Sequence, residues 1–416
     1  MDELIVGGHV ALEENPASVP EADVVIGLYS SNNADNMELA VAKAAGGAAR
    51  YHPELRTVLV CSDAASTDGT REAFFAAPSE TPRIYVSTDP RERNKRTCFF
   101  NLVEVASRLK ARAVVTYDAG IATLKKTWLP RLLDPVLGNG ACYTSPIYSR
   151  QHFDLPLTYL LSYPLFRALF GRRIRNPHLG DAAFSGQLNE VFLNTCRWPS
   201  VTDFCSTELA VRVIAVSHGP VFQSFMADPR VGPSRLPVDT GIGEEFCQTL
   251  KSFYELMILY PDQWLKPRNS RPTPVTGAGL KADILPPREL VGAPQAFQRL
   301  IASSAKASRG IWEEVFPAHL GLFSTLLNPP PYGQRVPPQV WADLIYRGAA
   351  TYRRRWGESA DADALIRALM PVFLLRLLDF KKTTAISSAS QITSLIENEA
   401  EVFEKAKPGL LALWGS

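Results

Sequence analysis

The chain has 416 residues, of which 46 % are apolar and 21 % are charged, and its formal net charge is +2. This composition is typical of globular proteins, and the near-neutral charge gives no argument for nucleic acid as a partner. The length predicts two to three domains and allows a sizeable core.

The chain begins with a segment that gives no signal for export. Its first residues are acidic and lack the basic region of a signal peptide. The most apolar stretch, 368–378, is interrupted by Pro371 and Arg376, so we predict no transmembrane segment. The six cysteines form no CxxC pair, which favours reduced, mostly buried thiols over a zinc site. We therefore expect a cytoplasmic protein.

Strand and helix signals alternate in the first half of the chain, after a loose N-terminal arm over residues 1–21. Short apolar runs predict buried strands at 23–29, 56–61, 82–87 and 113–117. Helical patterns lie at 37–49 and 95–109, and Thr67 or Asp68 can cap another helix that starts near Thr70. This alternation predicts an α/β fold, a mainly parallel sheet with helices on both faces.

The polar loops of this predicted sheet follow Tyr29, Cys61 and Tyr117. Ligands of such sheets bind at the carboxyl ends of the strands. We therefore expect these three loops to lie along one edge.

The second half of the chain has a different character. After a helix and strand over 200–225, strand signals fade, and helical patterns follow around 243–260, 294–305, 338–355, 362–378 and 385–406. The Pro- and Gly-rich stretch 265–292 is typical of an ordered linker or wrapping loop. We predict an arm at 1–21, an α/β domain at 22–235 and an α-helical C-terminal domain at 236–416.

Two strand ends carry residues suited to ligand chemistry. In Ser62–Thr70, a carboxylate after a strand can accept hydrogen bonds from a nucleobase or a ribose, although the same residues also suit a plain helix cap. Asp118 follows the fourth strand, where a carboxylate can hold Mg²⁺ or Mn²⁺ against a pyrophosphate or simply stabilise a turn.

These motifs together resemble the GT-A glycosyltransferases. The resemblance rests on three segments, which match in order and spacing: Val-Ile-Gly-Leu-Tyr at 25–29, Asp-x-x-Ser-x-Asp-Gly-Thr at 63–70 and Tyr-Asp-Ala at 117–119. Residues 177–186 and 207–209 and the helical tail resemble the mannosylglycerate synthase and glucosyl-3-phosphoglycerate synthase type enzymes, which are retaining. The resemblance covers about residues 22–235 and implies a Rossmann-like GT-A domain.

The resemblance also implies a donor site for a nucleoside-diphosphate sugar. Leu28 and Tyr29 would line the base pocket, and Asp63 would hold the nucleobase. Lys95 would contact the pyrophosphate as a point charge. Asp118 would lie under the ribose and the metal.

An acceptor site is implied by the same resemblance. Glu208 would lie near the anomeric carbon or bind an acceptor hydroxyl, and would share the catalytic work with Asp118. Gly180 and Asp181 would shape the acceptor pocket. Arg175, in the basic run 172–175, is a candidate for binding an anionic acceptor, although this run also suits a solvated surface or contact with a membrane surface.

Three positions depart from the family pattern. Gly120 replaces the second Asp of the Asp-x-Asp motif, and Ala227 replaces the late histidine ligand of the same metal. Asn94-Lys95-Arg96 replaces a Gly-Lys-Gly loop. Both metal positions are thus lost together.

Three explanations for these departures stay open. The enzyme can work without a metal, with Lys95, Arg96 or the 172–175 arginines neutralising the leaving diphosphate. The domain can be a non-catalytic GT-A protein with a binding or scaffold role. A divalent metal can be held by a rearranged set that includes Asp118 and Asp228.

The sequence therefore predicts transfer of a hexose from a nucleoside-diphosphate sugar to a small, anionic acceptor, with the non-catalytic protein as the alternative. We expect no nucleic acid as a partner. The amphipathic C-terminal helices also suit a homodimer.

Overall fold

A computed structural model describes residues 10–149, 156–178, 180–194, 204–232, 238–266, 269–277, 294–327, 335–356 and 359–415. The chain divides into two compact units. The sheet unit consists of Met1–Arg150, His178–Ser234 and Thr273–Leu285, and the helical unit consists of Gln151–Pro177, Arg235–Pro272 and Pro286–Ser416. The described residues 156–177 group with the helical unit, and 273–277 group with the sheet unit.

In the part of the chain that the structure describes, the sheet unit is built around a nine-stranded sheet. Its strands are β1 (Val10–Glu14), β2 (Val24–Ser30), β3 (Thr57–Asp63), β4 (Arg83–Thr88), β5 (Ala113–Asp118), β6 (Tyr143–Ile147), β7 (Ala182–Ser185), β8 (Val221–Phe225) and β9 (Val275–Thr276). They lie in the order β1-β4-β3-β2-β5-β7-β6-β8-β9. Among the strands of the described residues, only β1 and β7 run antiparallel to their neighbours. The predicted α/β fold with a mainly parallel sheet is confirmed.

The α-helices are α1 (Ala34–Tyr51), α2 (Thr70–Ala76), α3 (Lys95–Arg108), α4 (Trp128–Leu137), α5 (Tyr163–Phe170), α6 (Gly186–Asn194), α7 (Phe204–His218), α8 (Val238–Leu259), α9 (Pro261–Trp264), α10 (Pro294–Val315), α11 (Leu320–Leu326), α12 (Pro338–Arg354), α13 (Ser359–Thr384) and α14 (Ala389–Gly415). The sheet unit contains α1–α4, α6 and α7, and the helical unit contains the others.

Helices cover both faces of the sheet, as predicted. Alternate side chains of β2, such as Ile26, pack with α1 and α4 in one core cluster. On the opposite face, Gly27 faces α3 so closely that a Cβ atom there would lie 2.3 Å from Leu102 Cδ2. Strands buried on both faces explain why β2 and β3 have almost continuous apolar sequences.

The N-terminal arm is the clearest correction to the sequence-based elements. Residues 10–14 form β1, which pairs antiparallel with β4 at the edge of the sheet. This strand is largely exposed and lacks the continuous apolar run that marks the buried central strands. The predicted linker also contributes a strand, since Val275–Thr276 pairs with β8.

The helical unit confirms the α-helical character of the C-terminal part. Its helix α5 is buried along its whole length, so the apolar side chains preceding Arg172 form part of the core of this unit. The Trp341 indole of α12 donates a hydrogen bond of 2.8 Å to the Leu160 carbonyl. Among the described residues, no helix is long and apolar enough to cross a membrane. Cys61, Cys98, Cys142 and Cys247 are free thiols, and all but Cys142 are buried.

Candidate functional site

The direction in which the chain adds strands to the sheet reverses between β2 and β5, so this is a topological switch point of the sheet. The chain proceeds from β2 to β3 and β4 on one side, and then returns to place β5 on the other side of β2. Tyr29 of β2 is in register with Asp118 of β5 at their carboxyl ends. In open α/β sheets, ligands bind in the crevice outside such strand ends. This edge is therefore the candidate functional site of the sheet unit.

The loops after β2 and β3 are joined by hydrogen bonds. The Asn32 amide donates to Ser66 Oγ at 2.7 Å, and the Ala34 amide donates to Asp68 Oδ2 at 3.0 Å. Asp68 also accepts from the Thr70 amide at 3.1 Å, next to Gly69, which is the N-cap residue of α2. The predicted common edge is thus a connected layer of loops.

Asp63 is fully buried beneath this layer. Its carboxylate accepts 2.6 Å hydrogen bonds from the Ser66 amide and the Ser66 hydroxyl. The Tyr85 hydroxyl donates to it at 2.9 Å. In this structure Asp63 therefore holds the loop, and a nucleobase would have to compete with these donors.

The predicted base-pocket residues lie on opposite sides of the sheet. Leu28 is fully buried in the core cluster formed with α1 and α4. Tyr29 faces the other way, and the ammonium of Lys95 lies 4.0 Å from the centroid of its ring. Only Tyr29 therefore contacts the charged groups of the edge.

Arg230 connects the carboxylates of the edge. Its Nε donates to Asp181 at 2.5 Å, and its Nη2 lies 3.4 Å from Asp118 Oδ2. Asp181 also accepts from the Tyr148 hydroxyl at 2.8 Å and from the Asp118 amide at 3.2 Å. Burial acts to lower the pKa of Arg230, but the charges of Asp181 and Asp118 outweigh it and raise this pKa.

The loop that carries Arg230 is fixed on both sides. The Thr123 hydroxyl donates to the Pro229 carbonyl at 2.8 Å and accepts from the Val231 amide at 2.9 Å. Ala227 has a φ of +62°, a left-handed conformation that is costly for a residue with a Cβ. A fixed loop with local strain is typical of a functional edge.

Asp228 belongs to a different group of charges. Its carboxylate pairs with Lys125, accepts from the Trp128 indole at 3.1 Å and lies 3.5 Å from Arg131. It shares none of these partners with Asp118. The described residues contain no group of three His, Cys, Asp or Glu side chains that could hold a metal ion.

The side chains present therefore do not fit a divalent cation bound by Asp118 and Asp228. Gly120 supplies a backbone N–H to Asp118 Oδ1 at 2.9 Å instead of a second carboxylate. Asp118 already faces the guanidinium of Arg230.

Glu208 of α7 forms a second buried cluster at the edge. It lies 3.5 Å from the Lys95 ammonium and 3.7 Å from the Arg212 guanidinium. Burial raises the pKa of Glu208, while Lys95 and Arg212 lower it in part. The negative charge of Asp181 adds to the increase.

The residues predicted for the acceptor are divided between the two units. The Gly180 carbonyl accepts a 2.7 Å hydrogen bond from Thr116, beside the buried Asp181. Arg175 belongs to the helical unit, where it lies 3.1 Å from Glu397 and 5.7 Å from the Tyr163 ring centroid.

Sequence reasoning missed Arg230 and Tyr148. Arg230 follows the segment Met226-Ala-Asp-Pro229, in which a lost histidine ligand had been noted. A search for cations near that substitution could have found it. Nothing in the local sequence around Tyr148 indicates that its hydroxyl donates to Asp181.

No family model and no curated protein matches this sequence. Similar folds occur among solved structures. One is glucosyl-3-phosphoglycerate synthase from Mycobacterium tuberculosis in complex with Mn²⁺, uridine diphosphate and glucosyl-3-phosphoglycerate, at 17 % identity and a TM-score of 0.43, covering 57 % of this chain and 79 % of that one.

Two further structures match to a similar extent. The same enzyme with Mn²⁺, uridine diphosphate and phosphoglyceric acid is 18 % identical, with a TM-score of 0.43, and the match covers 57 % of this chain and 78 % of that one. A structure described as a mycobacterial protein is 18 % identical, with a TM-score of 0.43 and coverages of 57 % and 74 %.

Proposed function

We propose that this protein is a GT-A type glycosyltransferase that moves a hexose from a nucleoside-diphosphate sugar to a small, anionic acceptor, with retention of configuration. The observation that carries the proposal is the position of Asp118 at the switch point between β2 and β5. The motif resemblance assigns the ribose to this aspartate. A sheet of this topology supplies a crevice at the same place.

Within this proposal, the charged clusters have separate tasks. Lys95 begins α3, and its ammonium neutralises charge on the donor diphosphate. Glu208 lies beside it with a raised pKa, and interacts with an acceptor hydroxyl or with the anomeric carbon. The leaving phosphate itself can take the proton of the acceptor, so the reaction does not require a separate strong base.

The hydrogen bonds of Asp63 favour the alternative function, in which this chain is a non-catalytic GT-A protein that binds partners. Its carboxylate is fully buried and already accepts three hydrogen bonds. A protein that has lost donor binding has no need to keep this carboxylate available for a nucleobase. The two functions differ in whether any nucleotide-sugar binds.

The proposal is tested by calorimetry with UDP- and GDP-sugars, each with Mn²⁺ and with a chelator. We expect one donor to bind, and Asp118→Asn to weaken its binding by about tenfold or more, because a neutral amide replaces the charged carboxylate as the hydrogen-bond acceptor. Asp23→Asn is the matched control, since Asp23 lies just before the opposite end of β2 and pairs with Arg56. Failure of every nucleotide and nucleotide-sugar to bind would favour the non-catalytic protein. Once a donor is found, NMR of the product anomer tests retention.

A further inference from the structure

Arg230 lies where the sequence pattern led us to expect a metal ion. Its guanidinium contacts both Asp118 and Asp181, and its side chain is only 7 % exposed. Asp181 is fully buried and Asp118 is 20 % exposed. Two carboxylates that converge on one positive charge are also the core of a divalent cation site.

We infer that Arg230 is a built-in cation that takes the place of a divalent metal between Asp118 and Asp181. A guanidinium stays protonated at all physiological pH values and binds carboxylates and phosphates through several N–H groups. A second cation at the same place would meet its positive charge at close range in a partly buried site. The side chain therefore closes the pair of carboxylates to metal ions.

Gly120 and Ala227 stand at the two positions where the resemblance implies metal ligands. Neither residue has a side chain that could bind a metal, and this supports the inference. Gly120 leaves Asp118 with a single backbone N–H as its local partner, and so leaves Oδ2 available to Arg230. Ala227 removes an imidazole three residues before Arg230. The loss of ligands and the gain of a fixed cation thus occur at one edge of the sheet.

Charge balance points to the same conclusion. Among the residues that the structure describes, the ion pairs of the two clusters join three carboxylates, Asp118, Asp181 and Glu208, and three cations, Arg230, Lys95 and Arg212. An added divalent ion would leave this group with excess positive charge. Removal of Arg230 would instead leave it with an uncompensated carboxylate.

The Arg230 guanidinium also has N–H groups that can donate hydrogen bonds to an anion. Its Nε and Nη2 bind the two aspartates, whereas its Nη1 donates to none of the residues that the structure describes. If the protein binds a nucleoside-diphosphate sugar as proposed above, Arg230 would neutralise the diphosphate without a metal. This second consequence rests on the proposed function, and the metal exclusion does not.

The inference predicts that the protein contains a latent metal site. Arg230→Ala leaves Asp118 and Asp181 facing one cavity without their shared cation. We expect this variant to bind one Mn²⁺ with an affinity at least about tenfold above that of the wild type, because one close repulsion between cations is removed. Electron paramagnetic resonance of free Mn²⁺ measures this directly and needs no enzymatic activity.

Two variants control this experiment. Arg131→Ala removes another arginine that pairs with an aspartate, Asp228, but frees no pair of carboxylates, so we expect no gain in Mn²⁺ binding. Arg230→Ala combined with Asp118→Asn should lose the gained site. If Arg230→Ala does not fold, Arg230→Met keeps the apolar stem and opens the same carboxylates.

A wild-type protein that binds Mn²⁺ at Asp118 would overturn the inference. So would folded Arg230→Ala and Arg230→Met variants that bind no more Mn²⁺ than Arg131→Ala does. These outcomes leave the proposed glycosyltransferase function standing, since they concern only the cation.

Binding of the nucleotide-sugar provides a second test of the inference. We expect the wild type to bind its nucleotide-sugar with affinities that agree within about twofold with Mn²⁺ or with a chelator, and Arg230→Ala with chelator to bind about ten- to a hundredfold more weakly. A donor that requires Mn²⁺ in the wild type would overturn the inference. Absence of donor binding under all conditions would count against the proposed function, and the Mn²⁺ experiment would still decide the role of Arg230.

Discussion

The Lys95 ammonium lies 3.5 Å from the carboxylate of Glu208, and both side chains are at most 10 % exposed. Lys95 is the first residue of α3, and Glu208 lies in α7. Burial raises the pKa of this carboxyl above its ordinary value of 4.5, and Lys95 opposes the increase. The pair therefore links the charge state of the edge to pH.

Removal of Lys95 should make stability more sensitive to pH. Lys95→Met withdraws a counter-charge, so the pKa of Glu208 rises further. Between 4.5 and this raised pKa, the folded protein holds a proton that the unfolded chain releases, so the free energy of unfolding falls as pH rises. We expect a steeper fall in the variant, measured by urea unfolding between pH 5 and 8. Lys95→Arg keeps the charge and should resemble the wild type. If the free energy of unfolding changes with pH equally in Lys95→Met and the wild type, Lys95 does not control the pKa of Glu208.

Asp63 should contribute to stability through its loop. Asp63→Ala leaves the Ser66 amide and hydroxyl and the Tyr85 hydroxyl without their acceptor, and we expect a loss of about 2 to 4 kcal/mol of unfolding free energy. Tyr85→Phe removes one of these hydrogen bonds and should cost about 1 kcal/mol. Chemical denaturation compares the two variants. An Asp63→Ala protein as stable as Tyr85→Phe would mean that the Ser66 hydrogen bonds contribute little.

The central strands and their loops could be predicted because their signal is local. The strands β2 and β5 are buried on both faces, so nearly every residue is apolar, and each ends at a polar residue. The convergence of Tyr29 and Asp118 on one edge followed from parallel winding alone. Exposed or very short strands such as β1 and β9 carry no such pattern.

The ion pairs could not be predicted, because their partners are distant in sequence. Arg230 is 112 residues from Asp118 and 49 from Asp181. Nothing in the local sequence of an arginine specifies which carboxylate it will face. The sequence therefore revealed the missing metal ligands, whereas the cation in their place became visible only in three dimensions.

The helical unit contains a buried ion pair, and its energetics can be tested by a double-mutant cycle. Arg376 of α13 lies 2.6 Å from Glu399 of α14, and both side chains are 7 % exposed. Arg376→Met alone leaves a buried carboxylate without its cation and should cost about 3 to 5 kcal/mol. Arg376→Met with Glu399→Leu should recover most of this loss, since two apolar groups replace the desolvated charges. Thermal unfolding of the four proteins measures the coupling, and a double variant no more stable than Arg376→Met would contradict it.

A buried lysine gives the helical unit its own pH dependence. Lys407 is 2 % exposed and donates to the Leu169 carbonyl, near the end of α5, at 3.2 Å. Burial lowers its pKa from 10.5 to about 8, although the charge of Glu404 opposes this change. Between these two values the unfolded chain binds more protons than the folded one, so the free energy of unfolding should increase as pH rises from about 8 towards 10.5.

Replacement of this lysine should remove that dependence. Below pH 8 the folded protein must bury the charged ammonium, so Lys407→Met should be more stable than the wild type there, by about 1 to 3 kcal/mol after loss of the hydrogen bond. The difference should shrink as pH rises through 8 to 10.5, because the wild type then releases its proton. Urea unfolding from pH 7 to 10.5 measures both curves, with Lys405→Met as control, because Lys405 is a solvent-exposed lysine on the same helix. A difference in unfolding free energy between Lys407→Met and the wild type that stays constant across this range would contradict this role of the Lys407 charge.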